Sequence, residues 1–401
     1  MSVASERRYY DDAYTTAFPG RVAAVGEHAG RPAIELAETW FYPESGGQLA
    51  DRGTIGAAGV TDVQSDDDGR VWHLIEGDAP GAGSEPACAI DWARRFDHMQ
   101  QHTGQHVLSA AFERVREIAT LSSTLGAERN VIELAMDAID WHTAGEVETA
   151  ANRVLWEDRE IRLHWTDDQG VKRFALRKPP AVSGRIRIVE IPEWDVSACG
   201  GTHARRTGEV GAIKIVGWEK VRGNVRVAFV CGERALRDHA WRAEALLESA
   251  RRRTLKDRDL LAHLERAADE RDALAKQLRG LTARLLADEA AQRVGRPPSG
   301  VAECAQERPR EDVRAFALAC LTAGAPWVVS AARSPEPALV LGRAKGGAGD
   351  LRTLVPALLE ASGGRGGGSP DQVQISAPDA AGLDRAFALA AERLPALVAG
   401  A

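Results

Sequence analysis

Short apolar stretches alternate with polar turns along the first part of the chain. Over residues 1–91, apolar runs such as 70–77 are separated by turns that contain Gly46-Gly47 or Asp67-Asp68-Gly69. This spacing is typical of β-strands joined by tight turns. We therefore predict an all-β domain over residues 1–91, a small β-barrel, with a sandwich as the alternative.

Residues 92–234 combine a helical pattern with strand patterns. After His102, apolar residues recur at the spacing of a helix. Gly104 lies inside this helix and costs up to about 1 kcal/mol relative to alanine, so we expect another segment to approach closely there. Three later runs are rich in β-branched residues and are predicted to be strands of one sheet: 185–191, 212–218 and 225–232.

Residues 235–296 carry a heptad pattern. Leu260, Ala267, Leu274 and Leu281 recur every seven residues, which predicts a long helix or a helical hairpin. Such an element either packs on its own chain or forms a dimerising coiled coil. The Pro297-Pro298 pair is predicted to end it.

The segment 297–401 is predicted to be an α/β domain, so that the whole chain is α+β. The stretch 363–371 has too many glycines to predict regular structure, and we interpret it as a glycine-rich loop. Such a loop either brings backbone N–H groups to a phosphate or is a flexible connector. It is not a Walker loop, because no Gly-Lys-Ser/Thr follows it. The remaining patterns indicate helices near 309–323 and 381–398 and strands near 326–331 and 338–342.

The amino-acid composition indicates the cellular compartment. The 401 residues are 44% hydrophobic, which is ample for packed cores, and the five cysteines are scattered and odd in number. This usage favours a reducing compartment over a disulfide framework. The first residues lack the apolar core of a signal peptide, and the longest charge-free run, 315–332, is too polar for a membrane span. We predict a cytoplasmic protein without a membrane partner.

Charge is distributed unevenly. The chain has a formal net charge of −7, yet residues 172–226 contain twelve Lys or Arg against five acids, a local excess of seven positive charges. A basic surface of this kind favours a polyanionic partner such as a nucleic acid.

Two histidine-containing pairs indicate a metal site. His102 and His106 share one helix face, and Cys199 and His203 have the same spacing. Imidazole and thiolate ligands favour zinc over magnesium or calcium, so we predict one zinc ion per chain. Four protein ligands describe a closed structural site. Catalysis would then need a fifth position, the loss of one ligand, or a metal that only orients the substrate.

Several strings resemble one family. Phe41–Gln48 with Asp51 and Gly53, the two metal pairs, Thr120–Gly126, and the stretch 219–232 resemble the editing domain of alanyl-tRNA synthetases and the free-standing AlaX editing proteins. The likeness covers about residues 1–235, and the tail resembles the C-terminal domain of the same synthetases. The chain is therefore similar to the long form of the free-standing proteins.

The resemblance implies a trans-editing deacylase with its zinc-dependent domain at 92–234. Its expected substrate is tRNA(Ala) mischarged with serine, with glycine as a second candidate. We expect Thr120 to read the serine hydroxyl and Gln48 to border the pocket. Gln105 is the third candidate for the catalytic site, although it cannot replace the glutamate base of a His-Glu-x-x-His peptidase.

The expected partners are nucleic acid and a second copy of the chain. Four cations are candidates for tRNA phosphates, and the tail is expected either to bind tRNA or to form a homodimer through the helix or the C-terminal domain. Two alternatives stay open: a tRNA-binding module with structural zinc, and a phosphoesterase of the DHH type, whose Asp-His-His motif is only partly present at Asp97-His98-Met99. The four candidate cations are Arg205, Arg206, Lys220 and Arg222.

Overall fold

The computed structural model describes residues 5–295 and 299–400. The chain folds as two compact units, Met1–Ser249 and Ala250–Ala401. Both contain helices and strands, so the predicted α+β class is confirmed. None of the described helices combines the length and apolar character needed to cross a membrane.

The first unit begins with nine short strands, as predicted for residues 1–91. Seven of them form one sheet in the order β2-β9-β6-β7-β8-β4-β3, and β1 pairs with β5. Their bounds are β1 (Glu6–Arg7), β2 (Ala17–Pro19), β3 (Val22–His28), β4 (Arg31–Leu36), β5 (Glu38–Thr39), β6 (Gly53–Ile55), β7 (Ala58–Ser65), β8 (Val71–Glu76) and β9 (Ala87–Ile90).

This sheet is strongly curved. β2 and β3 lie at its two edges, although only Gly20 and Arg21 separate them in the chain. A flat sheet of seven strands would hold its edges nearly 30 Å apart, roughly six spacings of about 4.8 Å, whereas this connection spans about 11 Å at most. The sheet therefore curls until its edges approach. β2 and β3 do not pair with each other in the described part of the chain, so a closed barrel stays a prediction.

The rest of the first unit surrounds one long buried helix. The strands of this part of the chain form a four-stranded sheet, β10-β11-β16-β15, and a three-stranded sheet, β12-β13-β14. The elements are α1 (Trp92–Arg116), β10 (Thr120–Leu125), β11 (Asn130–Leu134), α2 (Trp141–Trp156), β12 (Arg162–Thr166), β13 (Ile186–Ile191), β14 (Asp195–Ala198), β15 (Ile213–Val221), β16 (Asn224–Cys231) and α3 (Gly232–Arg251).

The three predicted strands exist, but their assignment to one sheet is wrong. β13 pairs with β12 and β14, whereas β15 and β16 pair with each other through a tight turn at Arg222-Gly223. Both turn residues have positive φ, 50° and 86°, which a two-residue hairpin requires. The local turn selects the partner of β15, and the alternation of apolar residues carries no such information.

Helix α1 is fixed at both ends and along its length. The side chain of Asp91 accepts a hydrogen bond from Arg94 N, and the left-handed Glu117 ends the helix. Residues 98–112 are all buried. The predicted close approach at Gly104 is confirmed, since a Cβ atom there would lie 2.3 Å from Cys231 Sγ.

The segment predicted to be a long helix or a helical hairpin contains two helices, and the heptad residues all lie in the second of them, which has 35 residues. Helix α3 ends at Arg251, and α4 spans Leu260–Val294. Between them Thr254 has a φ of 57°, which a helix does not accommodate. The predicted break at Pro297-Pro298 lies outside the described residues. Along α4 the heptad leucines Leu274 and Leu281 are exposed.

The second unit contains a five-stranded sheet in the order β17-β18-β19-β21-β20. The two helices and two strands predicted for it are confirmed. The elements after α4 are β17 (Val301–Glu307), α5 (Arg310–Thr322), β18 (Trp327–Ser334), β19 (Ala338–Arg343), α6 (Val355–Ser362), β20 (Arg365–Ser369), β21 (Gln372–Ser376) and α7 (Ala380–Ala399).

The prediction of a glycine-rich loop at 363–371 is wrong. Residues 365–369 form β20, which pairs with β21. A Cβ atom on Gly366 or Gly368 would lie 2.1 Å or 2.0 Å from a backbone oxygen of β21. The glycines therefore serve the close approach of two strands.

Candidate metal centre

Helix α1 and one loop bring the two predicted ligand pairs together. His102 and His106 are one turn apart on α1, and their ring centroids are 5.3 Å apart. Cys199 and His203 lie in the loop between β14 and β15. The three imidazoles are buried, whereas the Cys199 side is partly exposed.

Two features fix the position of this loop. The buried guanidinium of Arg187 donates hydrogen bonds to the carbonyls of Cys199 and Gly201, both at 2.9 Å. Gly201 also packs directly on His102, because a Cβ atom there would lie 2.1 Å from His102 Cε1. The thiol and the imidazole therefore face each other only because residue 201 has no side chain.

The four ligand atoms converge on one point. The ligand atoms of His102, His106, Cys199 and His203 all lie within 4.8 Å of one another. Cys199 Sγ is 3.4 Å from His102 Nε2 and 3.3 Å from His203 Nε2. Tetrahedral zinc has bonds of about 2.3 Å to sulfur and about 2.0 Å to nitrogen, so its ligand atoms lie roughly 3.5 Å apart. The donor set and the spacing fit this ion.

Each imidazole is oriented by a different partner on its far side. His102 Nδ1 lies 2.8 Å from Gln48 Oε1, and His106 Nδ1 lies 2.8 Å from Asp195 Oδ2. His203 Nδ1 lies 3.2 Å from Thr103 Oγ1. When Nδ1 carries the proton, Nε2 keeps its lone pair, and partners of this kind fix the tautomer that binds metal.

The electrostatics favour an anionic thiolate and an ionised carboxylate. Burial opposes ionisation of Cys199, but the neighbouring His102 and His203 lower the pKa of its thiol well below the usual value. Burial also opposes ionisation of Asp195, yet hydrogen bonds from His106 and Arg177 lower the pKa of this carboxyl to about 2. The site therefore offers a divalent cation a thiolate ligand and a nearby negative charge.

Gln48 lies behind the metal ligands. Its Oε1 accepts hydrogen bonds from His102 and from Thr202 N, and its Nε2 donates to Thr202 Oγ1 at 2.8 Å. Its side chain is buried, with 1% exposed. The structure therefore places Gln48 as a support for His102, whereas the sequence predicts that it borders the pocket.

Gln105 and Thr120, the other two predicted catalytic residues, have no contact with the metal ligands among their hydrogen bonds in the described chain. Gln105 Nε2 donates to Ser109 Oγ on the same helix, at 2.8 Å. Thr120 is buried at the start of β10, and its Oγ1 has no hydrogen-bond partner. Leaving a buried hydroxyl without a partner costs free energy, so Thr120 Oγ1 is available to a further hydrogen-bonding group.

A chain of contacts links β10 to the metal site. The carbonyl of Leu121, the residue after Thr120, accepts a hydrogen bond from Lys178 Nζ at 3.1 Å. The adjacent Arg177 donates to Asp195 at 2.7 Å, and Asp195 holds His106. These contacts connect the backbone of β10 next to Thr120, through Lys178 and Arg177, with the carboxylate that holds His106.

The four predicted phosphate contacts fall into two groups. Arg205 lies over the ring of Tyr14 at 3.9 Å, and Arg206 pairs with Asp158 at 2.6 Å. Lys220 and Arg222 are exposed at the tip of the β15–β16 hairpin. This tip is about 25 Å from Cys231 at the other end of β16, given the rise of roughly 3.3 Å per strand residue. Only the first group lies beside the metal site.

A small cavity adjoins the site. It has a volume of about 250 Å³, and its wall includes His203, Arg187, Tyr14 and Asp12. This is slightly below the usual size of a ligand pocket. The cavity offers room next to one metal ligand, with charged groups of both signs.

Sequence reasoning missed three residues that support the metal ligands. Asp195 stands four residues before Cys199, Thr103 follows His102 directly, and Arg187 interrupts a run of β-branched residues. Of these, only Arg187 could have been noticed in the sequence, because a charged residue inside an apolar strand needs buried hydrogen-bonding partners. The described residues contain no other group of three or more His, Cys, Asp or Glu side chains that converge in this way. This leaves the DHH-type phosphoesterase alternative without its metal cluster there.

One segment of the chain matches a family model of aminoacyl-tRNA synthetase domains. Residues 186–227, from β13 into β16, match the family described as "Threonyl and Alanyl tRNA synthetase second additional domain". This segment contains Cys199 and His203 and the strands around them.

The similar proteins are alanine–tRNA ligases and an alanyl-tRNA editing protein. The chain is 38% identical to an alanine–tRNA ligase of Methanopyrus kandleri over 61% of this chain and 28% of that protein. It is 33% identical to the alanyl-tRNA editing protein AlaX-L of Pyrococcus horikoshii, over 58% of this chain and 59% of that protein. An alanine–tRNA ligase of Halorubrum lacusprofundi is 30% identical over 98% of this chain and 44% of that protein.

These matches confirm the resemblance that the motifs indicated. The chain is a homologue of an alanyl-tRNA editing protein and of alanine–tRNA ligases. It spans between about a quarter and three fifths of the length of these relatives.

Proposed function

We propose that the chain is a trans-editing hydrolase that cleaves the aminoacyl ester of tRNA(Ala) mischarged with serine, with glycine as a second substrate. This proposal rests on the convergence of three imidazoles and one thiolate. Each imidazole has a hydrogen-bonding partner at Nδ1, which leaves Nε2 for the metal. The likeness to an alanyl-tRNA editing protein supplies the substrate class. Such a substrate implies a cytoplasmic protein.

Zinc held by His102, His106, Cys199 and His203 would act as a Lewis acid or as an anchor for the substrate. The chain itself orients the three imidazoles through Gln48, Asp195 and Thr103 and keeps them largely out of water. An aminoacyl ester is already activated, so positioning contributes much of what hydrolysis needs.

Selectivity is assigned to Thr120. Serine carries one hydroxyl more than alanine, and the buried Oγ1 of Thr120 lacks a hydrogen-bond partner. A site built to bond a substrate hydroxyl rejects the analogue that lacks it by up to about 10⁴-fold, because its own polar group stays unpaired. This role requires the serine side chain to reach β10.

The tRNA is expected to approach along the basic face that includes Arg205 and Arg206, with Lys220 and Arg222 meeting a more distant part of the molecule. The exposed leucines of α4, including Leu274 and Leu281, support a homodimer through this helix. Sedimentation of the full chain would test the dimer separately from the activity.

The decisive experiment measures serine release from Ser-tRNA(Ala), with and without a zinc chelator. We expect release that the chelator abolishes, and little release from Ala-tRNA(Ala). The variant Cys199→Ser should lose bound zinc and activity. Cys304→Ser is the matched control, since Cys304 is also a partly buried free thiol but lies in the second unit.

The remaining alternative predicts a different pattern. A tRNA-binding module with structural zinc would bind tRNA(Ala) and lose its fold on chelation, without releasing serine from wild-type protein. The closed four-ligand set is the observation that favours it.

A further inference from the structure

A second cavity in the first unit is lined by arginines. It has a volume of about 410 Å³, and Arg31, Arg52 and Arg94 contribute three cations to its wall. Glu44 and Asp62 contribute two carboxylates. None of the three arginines forms a salt bridge among the ion pairs of the described chain. The wall therefore has a net positive charge and guanidinium groups without carboxylate partners.

The guanidinium groups are held in place by neutral acceptors. Arg31 donates to Thr61 Oγ1 at 2.7 Å, and Arg52 Nε donates to the carbonyl of the same threonine at 3.1 Å. Arg94 Nε donates to the Ala50 carbonyl at 2.9 Å. An arginine has five N–H donors, so each group keeps several for a ligand. Three guanidinium groups fixed around one cavity, each with free N–H donors, are suited to bind a phosphate.

In the described chain, the hydrogen bonds of Asp62 come from its sequence neighbours and not from the three arginines. Its Oδ1 accepts a hydrogen bond from Val63 N at 2.9 Å, and its Oδ2 accepts one from Gln64 at 3.0 Å. Burial and then the positive charge of Arg52 lower the pKa of Arg94. The effect of Arg52 reflects two like charges that lie close together, and a bound anion would stabilise both.

The chain connects this cavity to the metal centre. Leu49 and Ala50 line it, and they directly follow Gln48, which holds His102. Two residues of chain reach about 7 Å at most. One wall of the cavity is therefore close in the chain to the residue that supports His102, and this proximity is the reason to consider a nucleic acid that occupies both sites.

We propose that Arg31, Arg52 and Arg94 form a binding site for a phosphodiester group near the 3′ end of an RNA. The inference rests on the proposed function for its choice of RNA over a free anion. It assigns these arginines the task of holding the backbone while the metal centre receives the ester.

The test uses the full chain and an uncharged RNA hairpin that ends in single-stranded CCA, so that hydrolysis is not required. Neutral methylphosphonates replace the last three backbone linkages one at a time. We expect one replacement to weaken binding to the wild-type chain roughly ten-fold, as loss of a charge-assisted contact would. The same replacement should scarcely affect Arg31→Gln/Arg52→Gln, because the contact is already lost.

The salt dependence gives a second measure. Removing one phosphate contact to single-stranded RNA should lower the slope of log K against log salt by about 0.7. Arg21→Gln is the matched control for Arg52→Gln, since Arg21 is exposed in the same unit and does not line the cavity. Melting temperature and zinc content verify that each variant is folded. If the double variant does not fold, the single variants and the methylphosphonate series on wild-type protein decide.

Two results would overturn the inference. In one, neutral linkages and arginine variants weaken binding additively, which would show that they do not meet. In the other, inorganic phosphate binds to the wild-type chain and not to the double variant, while RNA affinity is the same for both. If RNA binding behaves as expected but serine is never released, only the proposed hydrolysis fails.

Discussion

Gln48 Oε1 lies 2.8 Å from His102 Nδ1, and this contact connects the N-terminal part of the chain to the metal centre. The same oxygen accepts from Thr202 N in the loop that carries Cys199 and His203. The amide therefore fixes the tautomer of one ligand and the position of the loop that supplies two others. Partners of this kind affect metal affinity without touching the metal.

Gln48→Ala should lower zinc affinity by about 10-fold to 100-fold, the usual effect of losing a group that orients a ligand. Gln48→Glu keeps an acceptor for His102 and should keep more of the affinity. Competition with a chromogenic chelator measures both. Gln169→Ala is the control, because Gln169 is exposed. Equal zinc affinity in Gln48→Ala and wild type would show that His102 needs no support from the amide.

Thr120→Val should retain zinc but lose the distinction between serine and alanine esters. Because Thr120 Oγ1 is buried without a partner, removing it should also leave the melting temperature unchanged or raise it. Deacylation of Ser-tRNA(Ala) and Ala-tRNA(Ala), together with thermal unfolding, tests both effects. Thr124→Val, an exposed position on the same strand, should alter neither. Unchanged discrimination in Thr120→Val would remove this residue from the site.

Gly200 and Gly201 provide a matched pair. A Cβ atom on Gly201 would lie 2.1 Å from His102 Cε1, whereas one on Gly200 would lie 3.6 Å from the ring of Tyr10. Gly201→Ala should therefore displace His102, lower zinc content and cost roughly 1–3 kcal/mol of stability. Gly200→Ala should change little. Zinc analysis and thermal unfolding of both variants would reveal the difference, and similar behaviour of the two would contradict the close packing of Gly201 on His102.

The sequence predicted the ligands of the metal centre but not their supports. His102 and His106, like Cys199 and His203, are visible because a fixed spacing puts two ligands of a known kind together. Asp195 and Gln48 are far from His106 and His102 in sequence, and only the tertiary fold brings β14 and the segment at Gln48 to α1. Spacing rules describe one element at a time, so contacts between elements escape them.

The same limit explains the errors in the fold. The strands at 186–191 and 213–221 were predictable from their β-branched residues, but their partners are set by turns and by neighbouring strands. At 365–369 glycine content indicated a loop, although Gly366 and Gly368 are there because two strands approach too closely for a side chain. A high glycine content is compatible both with a loop and with two closely approaching strands, so composition alone does not distinguish them.

His73 should make the first unit sensitive to acid. Its Nδ1 lies 2.8 Å from the Ile34 carbonyl and its Nε2 2.8 Å from Thr39 Oγ1, so the folded protein holds a neutral ring. Burial lowers the pKa of His73 to about 4, against about 6.5 in an unfolded chain. Between these values the unfolded state binds the extra proton, so this contribution to stability is present above pH 6.5 and is lost as pH falls towards 4.

The loss should be on the order of 3 kcal/mol, since each unit of pKa shift corresponds to about 1.4 kcal/mol. Urea unfolding of the wild-type chain at pH 7 and pH 4.5 should therefore show a larger drop in midpoint than the same measurement on His73→Gln, which keeps polar contacts but does not titrate. His142→Gln is the control, because His142 is exposed on α2 and its side chain is 78% accessible. An equal drop for wild type and His73→Gln would show that other groups dominate the acid response.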